Sequence, residues 1–287
     1  MSGCLQAEKS IIKKYRREIW KKFLSAIDAY GLIREGDRIA VCMSGGKDSM
    51  LMAKCMQQLH RYSRFSFDAV YLVMDPGYNA LNRQMIEENA EFLDIPVQIF
   101  PAPIFDYVAK LDKYPCYICA RMRRGYLYKQ ARELGCNKIA LGHHFDDVIE
   151  TVLMSMFYNG EFRTMMPKLR STNWEGMELI RPMYRVKERD IVAWRQYNGL
   201  QFNQCACRLT ENCVLDDGGM GSKRQEIKQL IRKLRQANPS IDSNIFGSIH
   251  DVNLDTVIGY HFNGQKHGFE ESYAQNARVE DAENEPE

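Results

Sequence analysis

An apolar run that stops at a glycine loop, with a helix starting on the far side, leaves a chain few folds to choose from. Residues 39–49 read Ile-Ala-Val-Cys-Met-Ser-Gly-Gly-Lys-Asp-Ser. Leu51, Cys55 and Leu59 come next at four-residue spacing with Met52 and Met56 beside them, which is the apolar face of a helix. A buried strand, a glycine turn and a helix N-terminus together make an anion site. Gly45 and Gly46 let backbone N–H groups approach a phosphate, and the first-turn amides and helix dipole favour its charge. Lys47 adds a cation, Ser44 and Ser49 add hydroxyls, and Asp48 is placed to hold a Mg²⁺ ion on the phosphates. An ordinary strand–helix turn that merely needed glycines would not explain Lys47 and Asp48 side by side within it.

The loop departs from the common kinase and GTPase phosphate loop. That motif has a glycine five residues before the Gly-Lys pair and Ser or Thr after the lysine. Here those positions hold Val41 and Asp48. Ser-Gly-Gly-Lys-Asp-Ser resembles instead the PP-loop of the N-type ATP pyrophosphatases, which implies cleavage of ATP to AMP and pyrophosphate.

At 287 residues, 45% hydrophobic and 26% charged, the chain is long enough for one large α/β domain with additions. No apolar run approaches the ~20 residues of a membrane helix, and no signal-peptide core follows the basic N-terminus. A cytoplasmic protein with no membrane partner is expected. The net charge of +2 conceals an asymmetry: residues 266–287 carry seven acids and two bases, so the remainder stands at +7. That permits contact with a polyanion without requiring it.

The pattern predicts a basic amphipathic helix over residues 9–30, then the strand, loop and helix already described. Strands at 67–74 and 97–100 flank a helix at 82–94, giving the β-α-β-α-β order of half a doubly wound sheet. Asp75, at the turn closing the strand over 67–74, is a candidate nucleotide contact because open α/β sheets bind ligands at the strands' carboxyl ends. The same logic selects Gly142 and His143, which come after a strand at 138–141 and precede Asp146 and Asp147 at the start of a helix. Either aspartate can cap that helix, or both can help hold Mg²⁺. A strand at 178–180 and helices at 187–198, 223–237 and 240–250 complete the pattern. Three segments are expected: a basic helical one over 1–36, a catalytic domain over 37–264 and an acidic disordered tail over 265–287.

Nine cysteines, an odd number, argue against a complete disulfide framework. Cys42, Cys55 and Cys136 fall within apolar patterns and read as core. Cys116, Cys119, Cys205, Cys207 and Cys213 lie in polar or turn-like sequence. The Cys116–Cys119 pair admits three readings: a redox dithiol, half of a zinc site, or part of an iron–sulfur site.

Taken together and in order, residues 44–49, the Cys116/Cys119 pair with Arg121, Arg123 and Arg124 after it, and Gly-His-His-Phe-Asp-Asp over 142–147 resemble the tRNA 2-thiocytidine synthetase family of PP-loop enzymes. The likeness continues through Phe-Tyr-Asn-Gly at 157–160, Met-Pro-Lys at 166–168, Arg181-Pro182 and Ile-Phe-Gly-Ser at 245–248. It implies a doubly wound sheet of the adenine-nucleotide α-hydrolase-like type and a 4Fe–4S cluster on Cys116, Cys119 and one later cysteine. Cys205 is assigned as that third ligand from its place after residues 201–204, with Cys207 close behind. One departure stands out: where the family has a second Cys-x-x-Cys pair, this chain has Cys-Ala-Cys and an insertion bearing Cys213.

The resemblance further implies ATP-dependent thiolation of a tRNA cytidine, with sulfur from sulfide or a cysteine desulfurase, in a protein that forms homodimers. Lys47 and Asp48 are then expected to stabilise and orient the phosphates, Arg123 to orient substrate or phosphates, and Asp146 to assist adenylation or hold metal.

Overall fold

The computed structural model describes residues 3–63, 65–111, 115–202, 223–271 and 273, with the backbone alone at 115 and 116. The chain divides after residue 230 into a larger and a smaller unit.

The larger unit is built on a sheet of six strands in the order β3-β2-β1-β4-β6-β5. They are β1 (Arg38–Met43), β2 (Asp68–Asp75), β3 (Val97–Pro101), β4 (Lys138–Ala140), β5 (Lys168–Arg170) and β6 (Glu178–Ile180). All neighbours are parallel except β5 and β6. Between them run α3 (Lys47–Tyr62), α4 (Ala80–Phe92), α5 (Phe105–Val108), α6 (Pro115–Glu133) and α7 (Phe145–Met154), and α8 (Glu188–Tyr197) follows β6. The expected doubly wound α/β sheet is present. β1 is buried at every position from Ile39 to Met43, as a central parallel strand covered on both faces must be. The chain leaves β1 first for β2 and β3, then returns to place β4 on its other side. The carboxyl ends of β1 and β4 therefore frame the switch point where such sheets hold ligands.

The helix expected over 9–30 begins earlier and is not regular. After α1 (Gly3–Lys9), two π-helical turns, Ser10–Lys14 and Arg16–Trp20, precede α2 (Lys21–Tyr30). Ala7, Ile11, Ile19, Phe23 and Ile27 are all buried at multiples of four residues, a spacing that drifts around a regular α-helix and that the wider turns hold to one face. Gly31 ends α2 at φ +53°, a left-handed cap that suits glycine. Near the start of the chain, the Cys4 thiol donates to the Leu93 carbonyl at 3.4 Å. Lys54, fully buried, donates to Glu8 and to the Leu93 carbonyl at 2.7 Å each, tying this region to the sheet's helices.

Cys42, Cys55 and Cys136 are core residues, as their patterns indicate. Burial pushes the Cys42 thiol up to about 12, so it stays protonated and inert. Two features escaped the pattern: strand β5, three residues at the sheet edge, and the buried Lys138, which donates to Leu32 O at 2.9 Å and pairs with Asp37 at 2.7 Å.

α9 (Lys223–Ala237) starts in the larger unit. The smaller unit contains α10 (Ile241–Ser248) and a hairpin of β7 (Gly259–Phe262) with β8 (Gln265–Gly268). The boundary expected at 264 falls in the turn of that hairpin, and the tail beyond 273 lies outside the described residues. Among the described residues no helix is long and apolar enough to cross a membrane.

Candidate active site

A cavity of about 570 Å³ opens at the switch point, a size suited to a nucleotide. One wall is the end of β1 and the loop into α3, through Met43, Ser44, Asp48 and Ser49. The opposite wall runs from β4 through Leu141, Gly142 and His143, with Asp147 behind them. Arg123 and Arg124 reach in from α6, and Arg181 closes the side beyond β6.

The loop is shaped for an anion. Gly45 has φ +78°, and a Cβ there would stand 2.4 Å from Ile86, so both backbone and space demand glycine. Ser49 Oγ accepts from Ser44 N at 3.1 Å and donates to Gly46 O at 3.0 Å, closing the turn on itself. Gly46 is the N-cap of α3, and no side chain among the described residues caps it. The first-turn amides of α3 are thus left for a ligand. Across the cavity, Gly142 lies so close that a Cβ would meet Ser49 N and Cα at 3.1 Å.

Charge is distributed unevenly around this cradle. Lys47 does not line the cavity: its ammonium lies 3.2 Å from Asp48 and 3.0 Å from Glu188. Burial acts to lower its pKa, but the two carboxylates outweigh that and hold it above its ordinary value. Asp48 Oδ1 is buried and has no hydrogen-bond partner among the described residues; His144 Nε2 is 3.7 Å away. The Nδ1 of His143 and the Nε atoms of Arg123 and Arg181 are likewise buried and unpartnered among them. Burial, aided by Arg181, drives the His143 imidazole down to about 4, so it is neutral at pH 7. Burial also brings Arg181 down to about 10, still a cation. Unpartnered polar atoms are costly in a closed protein and are expected where a polar ligand completes them.

Asp146 and Asp147 take different tasks. Asp147 exchanges a capping box with His144, which is the N-cap of α7. Asp146 is buried, and its Oδ2 accepts from the Glu188 amide at 2.7 Å, bridging to the first turn of α8. Asp147 therefore faces the cavity and Asp146 braces the residue that pairs with Lys47. Asp75, expected at the nucleotide, is committed to its own turn: Oδ1 accepts from Gly77 N at 2.9 Å and Tyr78 N at 2.8 Å, and Oδ2 pairs with Arg83 at 3.1 Å.

Of the expected site residues, Ser44, Asp48, Ser49, Arg123, Gly142 and His143 meet on the cavity, while Gly45 and Gly46 shape its loop. Arg124, Asp147 and Arg181 join them. The signal for Arg181 was its place directly after β6, whereas Glu188 carried none beyond an acid at a helix start. Behind the wall formed by Met74, Cys119 is buried in a cluster with Ala102, Ile104, Phe105 and Val108. The guanidinium of Arg123, one turn further along α6, lies 5.5 Å from the centre of the Phe105 ring. Cys116 and Cys119 are three apart in α6, the spacing at which helix positions are neighbours. The Cys116 side chain and all of Cys205, Cys207 and Cys213 lie outside the described residues. Among the described residues no three metal-ligating side chains converge.

The PP-loop domain family matches residues 13–208. The tRNA-cytidine(32) 2-sulfurtransferase of Syntrophotalea carbinolica is 36% identical over 239 residues, covering 82% of this chain and 89% of that protein. The Coxiella burnetii protein of the same name is 34% identical over 257 residues, covering 88% of this chain and 95% of its own length. In solved structures, the U34-tRNA thiolase NcsA from Methanococcus maripaludis, with its [4Fe-4S] cluster, shares the fold at a TM-score of 0.62. Its identity is 19%, covering 80% of this chain and 76% of that one. A glycine cradle at a sheet's switch point, with relatives alike over nearly their whole length, places this chain in the PP-loop family, among the tRNA-cytidine(32) 2-sulfurtransferases.

Proposed function

We propose that this protein uses ATP to replace the C2 oxygen of a tRNA cytidine with sulfur, at position 32 as its relatives' names specify. The observation that carries the reading is the convergence of the phosphate cradle, Arg123 of the cysteine-bearing helix and neutral His143 on one cavity.

A carbonyl oxygen leaves badly, so the first task is to convert it. The C2 oxygen attacks the α-phosphorus of ATP, pyrophosphate departs, and AMP is joined through that oxygen. The α3 amides and Lys47 stabilise the charge that gathers on the departing phosphates, as an oxyanion hole does. Asp48 Oδ1, buried and lacking a partner among the described residues, would hold a Mg²⁺ ion, which would supply positive charge to the phosphates. Arg123, with Nε buried and open, and cationic Arg181 orient the nucleotide or the base between them. His143 offers a hydrogen bond without adding charge.

In the second step sulfur adds to C2 and AMP leaves with the original oxygen; a hydrosulfide gives up its proton and no electrons change hands. The buried Cys119, beside the cavity wall on α6, fits as one thiolate ligand of a 4Fe–4S cluster, with Cys116 and Cys205 as the others. With only three protein thiolates, such a cluster supplies one iron open to sulfur. Hydrosulfide provides that sulfur directly; a cysteine desulfurase delivers it as a persulfide, from which two electrons of a thiol reductant release hydrosulfide and leave a disulfide. The work is done in the cytoplasm.

Nucleoside mass spectrometry of tRNA from a deletion strain tests the reading. 2-Thiocytidine is expected to be lost, restored by the wild-type chain and not by Lys47→Ala. Undiminished 2-thiocytidine in the deletion strain would overturn it. Cys116→Ala is expected to abolish thiolation while nucleotide binding persists, and anaerobically purified protein is expected to contain iron and acid-labile sulfide.

A further inference from the structure

Eight consecutive residues, 156–163, are exposed, and Met156, Phe157, Tyr158 and Phe162 are among them. Met166 and Leu169 extend the apolar surface. The segment starts in a π-helical turn, Ser155–Asn159, that closes the α7 helix and ends at Gly160 with φ +65°. Wide turns of this kind are frequent at functional sites. Two phenylalanines and two methionines left in water within one short stretch mark a surface that something else covers.

The chemistry around them narrows the occupant. Residues 155–170 carry three bases and one acid, and the Arg163 and Arg170 side chains are 76% and 93% exposed. The Lys223 ammonium lies 5.1 Å over the Tyr158 ring, and the Tyr158 hydroxyl donates to Glu226 at 2.5 Å, so the ring is held in place. The surface is continuous with the cavity. Met165 is a wall residue whose carbonyl accepts from Tyr184 Oη at 2.8 Å, and the Met166 and Pro167 carbonyls accept from Arg181, also in the wall. A second copy docking here about a two-fold axis would set this same net-basic patch against itself. A polyanion with exposed aromatic bases would not.

We infer that residues 156–170 are the surface on which the single-stranded loop of the substrate RNA lies, with Phe157 and Phe162 as stacking platforms for bases flanking the reacting one. This rests on the tRNA-modifying reading above. A base whose C2 oxygen is to reach the nucleotide must leave its stack and enter the cavity, and its neighbours need replacement stacking outside the mouth. Aromatic faces on a basic background supply that, without reading sequence. Arg163 and Arg170 meet the backbone phosphates.

The experiment compares wild-type protein, Phe157→Ala/Phe162→Ala and Phe157→Tyr/Phe162→Tyr, all full length. It measures binding of an unmodified anticodon stem–loop, binding of ATP and the sedimentation of each protein. The alanine pair is expected to bind the stem–loop ~10- to 100-fold more weakly, with ATP affinity and oligomeric state unchanged. The tyrosine pair, which keeps both ring faces, should stay within about 2-fold of wild type. An alanine pair that binds RNA normally overturns the assignment, and so does one whose oligomeric state changes while RNA affinity does not. If the deletion strain keeps its 2-thiocytidine, the activity reading itself fails. A wild-type chain that restores 2-thiocytidine, beside an alanine pair that binds RNA normally, removes the surface alone.

Discussion

Lys47 is paired with two carboxylates, 3.2 and 3.0 Å away, at the site where a triphosphate is to bind. Glu188 thus competes with the phosphates for the one lysine of the loop. A pair whose side chains keep 21% and 30% exposure contributes on the order of 1 kcal/mol. Glu188→Gln is therefore expected to lower KM for ATP about 2- to 5-fold, read by steady-state kinetics, while Lys47→Ala loses ~100-fold or more in kcat. Glu150 offers a second test. It is buried, and burial raises its carboxyl to about 7 despite Lys228 and Arg224 at 3.7 and 3.5 Å. A raised folded pKa means that its contribution to stability is full below its ordinary value near 4.5 and is lost as pH rises through 7. Relative to wild type, Glu150→Gln should gain a few degrees in Tm between pH 4.5 and 8. Parallel Tm curves across that range would remove the buried carboxylate from the account.

Elements that announce themselves locally were legible: β1, its glycine loop, α3 and the β4–α7 junction all arise from apolar period and turn residues. The features that were not legible depend on direction and distance. Asp146 and Asp147 are adjacent in sequence but roughly 100° apart around α7, so only the structure separates the brace from the cavity residue. Asp75 sat at the right end of the right strand, yet its own turn amides and Arg83 claim it. The π turns before α2 stretch the apolar period to four residues, which a regular 3.6-residue helix does not predict, and Lys138 reads as polar because nothing local reveals Asp37. Gly142 sets the spacing between the two loops. Gly142→Ala places a methyl 3.1 Å from the Ser49 backbone, so one loop must withdraw. ATP affinity is expected to fall about 10-fold or more by calorimetry, with little change in Tm, because the shift is confined to the loops.

For the whole molecule, the sheet's order decides where the site can exist. β2 and β3 lie on one side of β1 and β4 on the other, so neither half of the chain holds the cavity alone. The wall from β1 pairs with the wall from β4 through Ile39 and Lys138, 99 positions apart (138 − 39). Closing so long a loop is slow relative to local hairpins and helices, since its entropy must be overcome before any contact repays it. ATP affinity should therefore return only with the last and slowest refolding phase, after helical signal by circular dichroism has recovered. Nucleotide binding that recovers with the earliest phase would mean the β1–β2–β3 half suffices.

A chain emerging residue by residue from the ribosome makes the two sides of that junction at different times. The phosphate loop is complete once position 49 is made, yet β4 is almost ninety residues further on (138 − 49 = 89). Until then the α3 amides have no facing wall, and the nascent chain is not an ATP-cleaving machine. The nucleotide cradle is completed as a checkpoint of synthesis, when the second half of the sheet closes against the first.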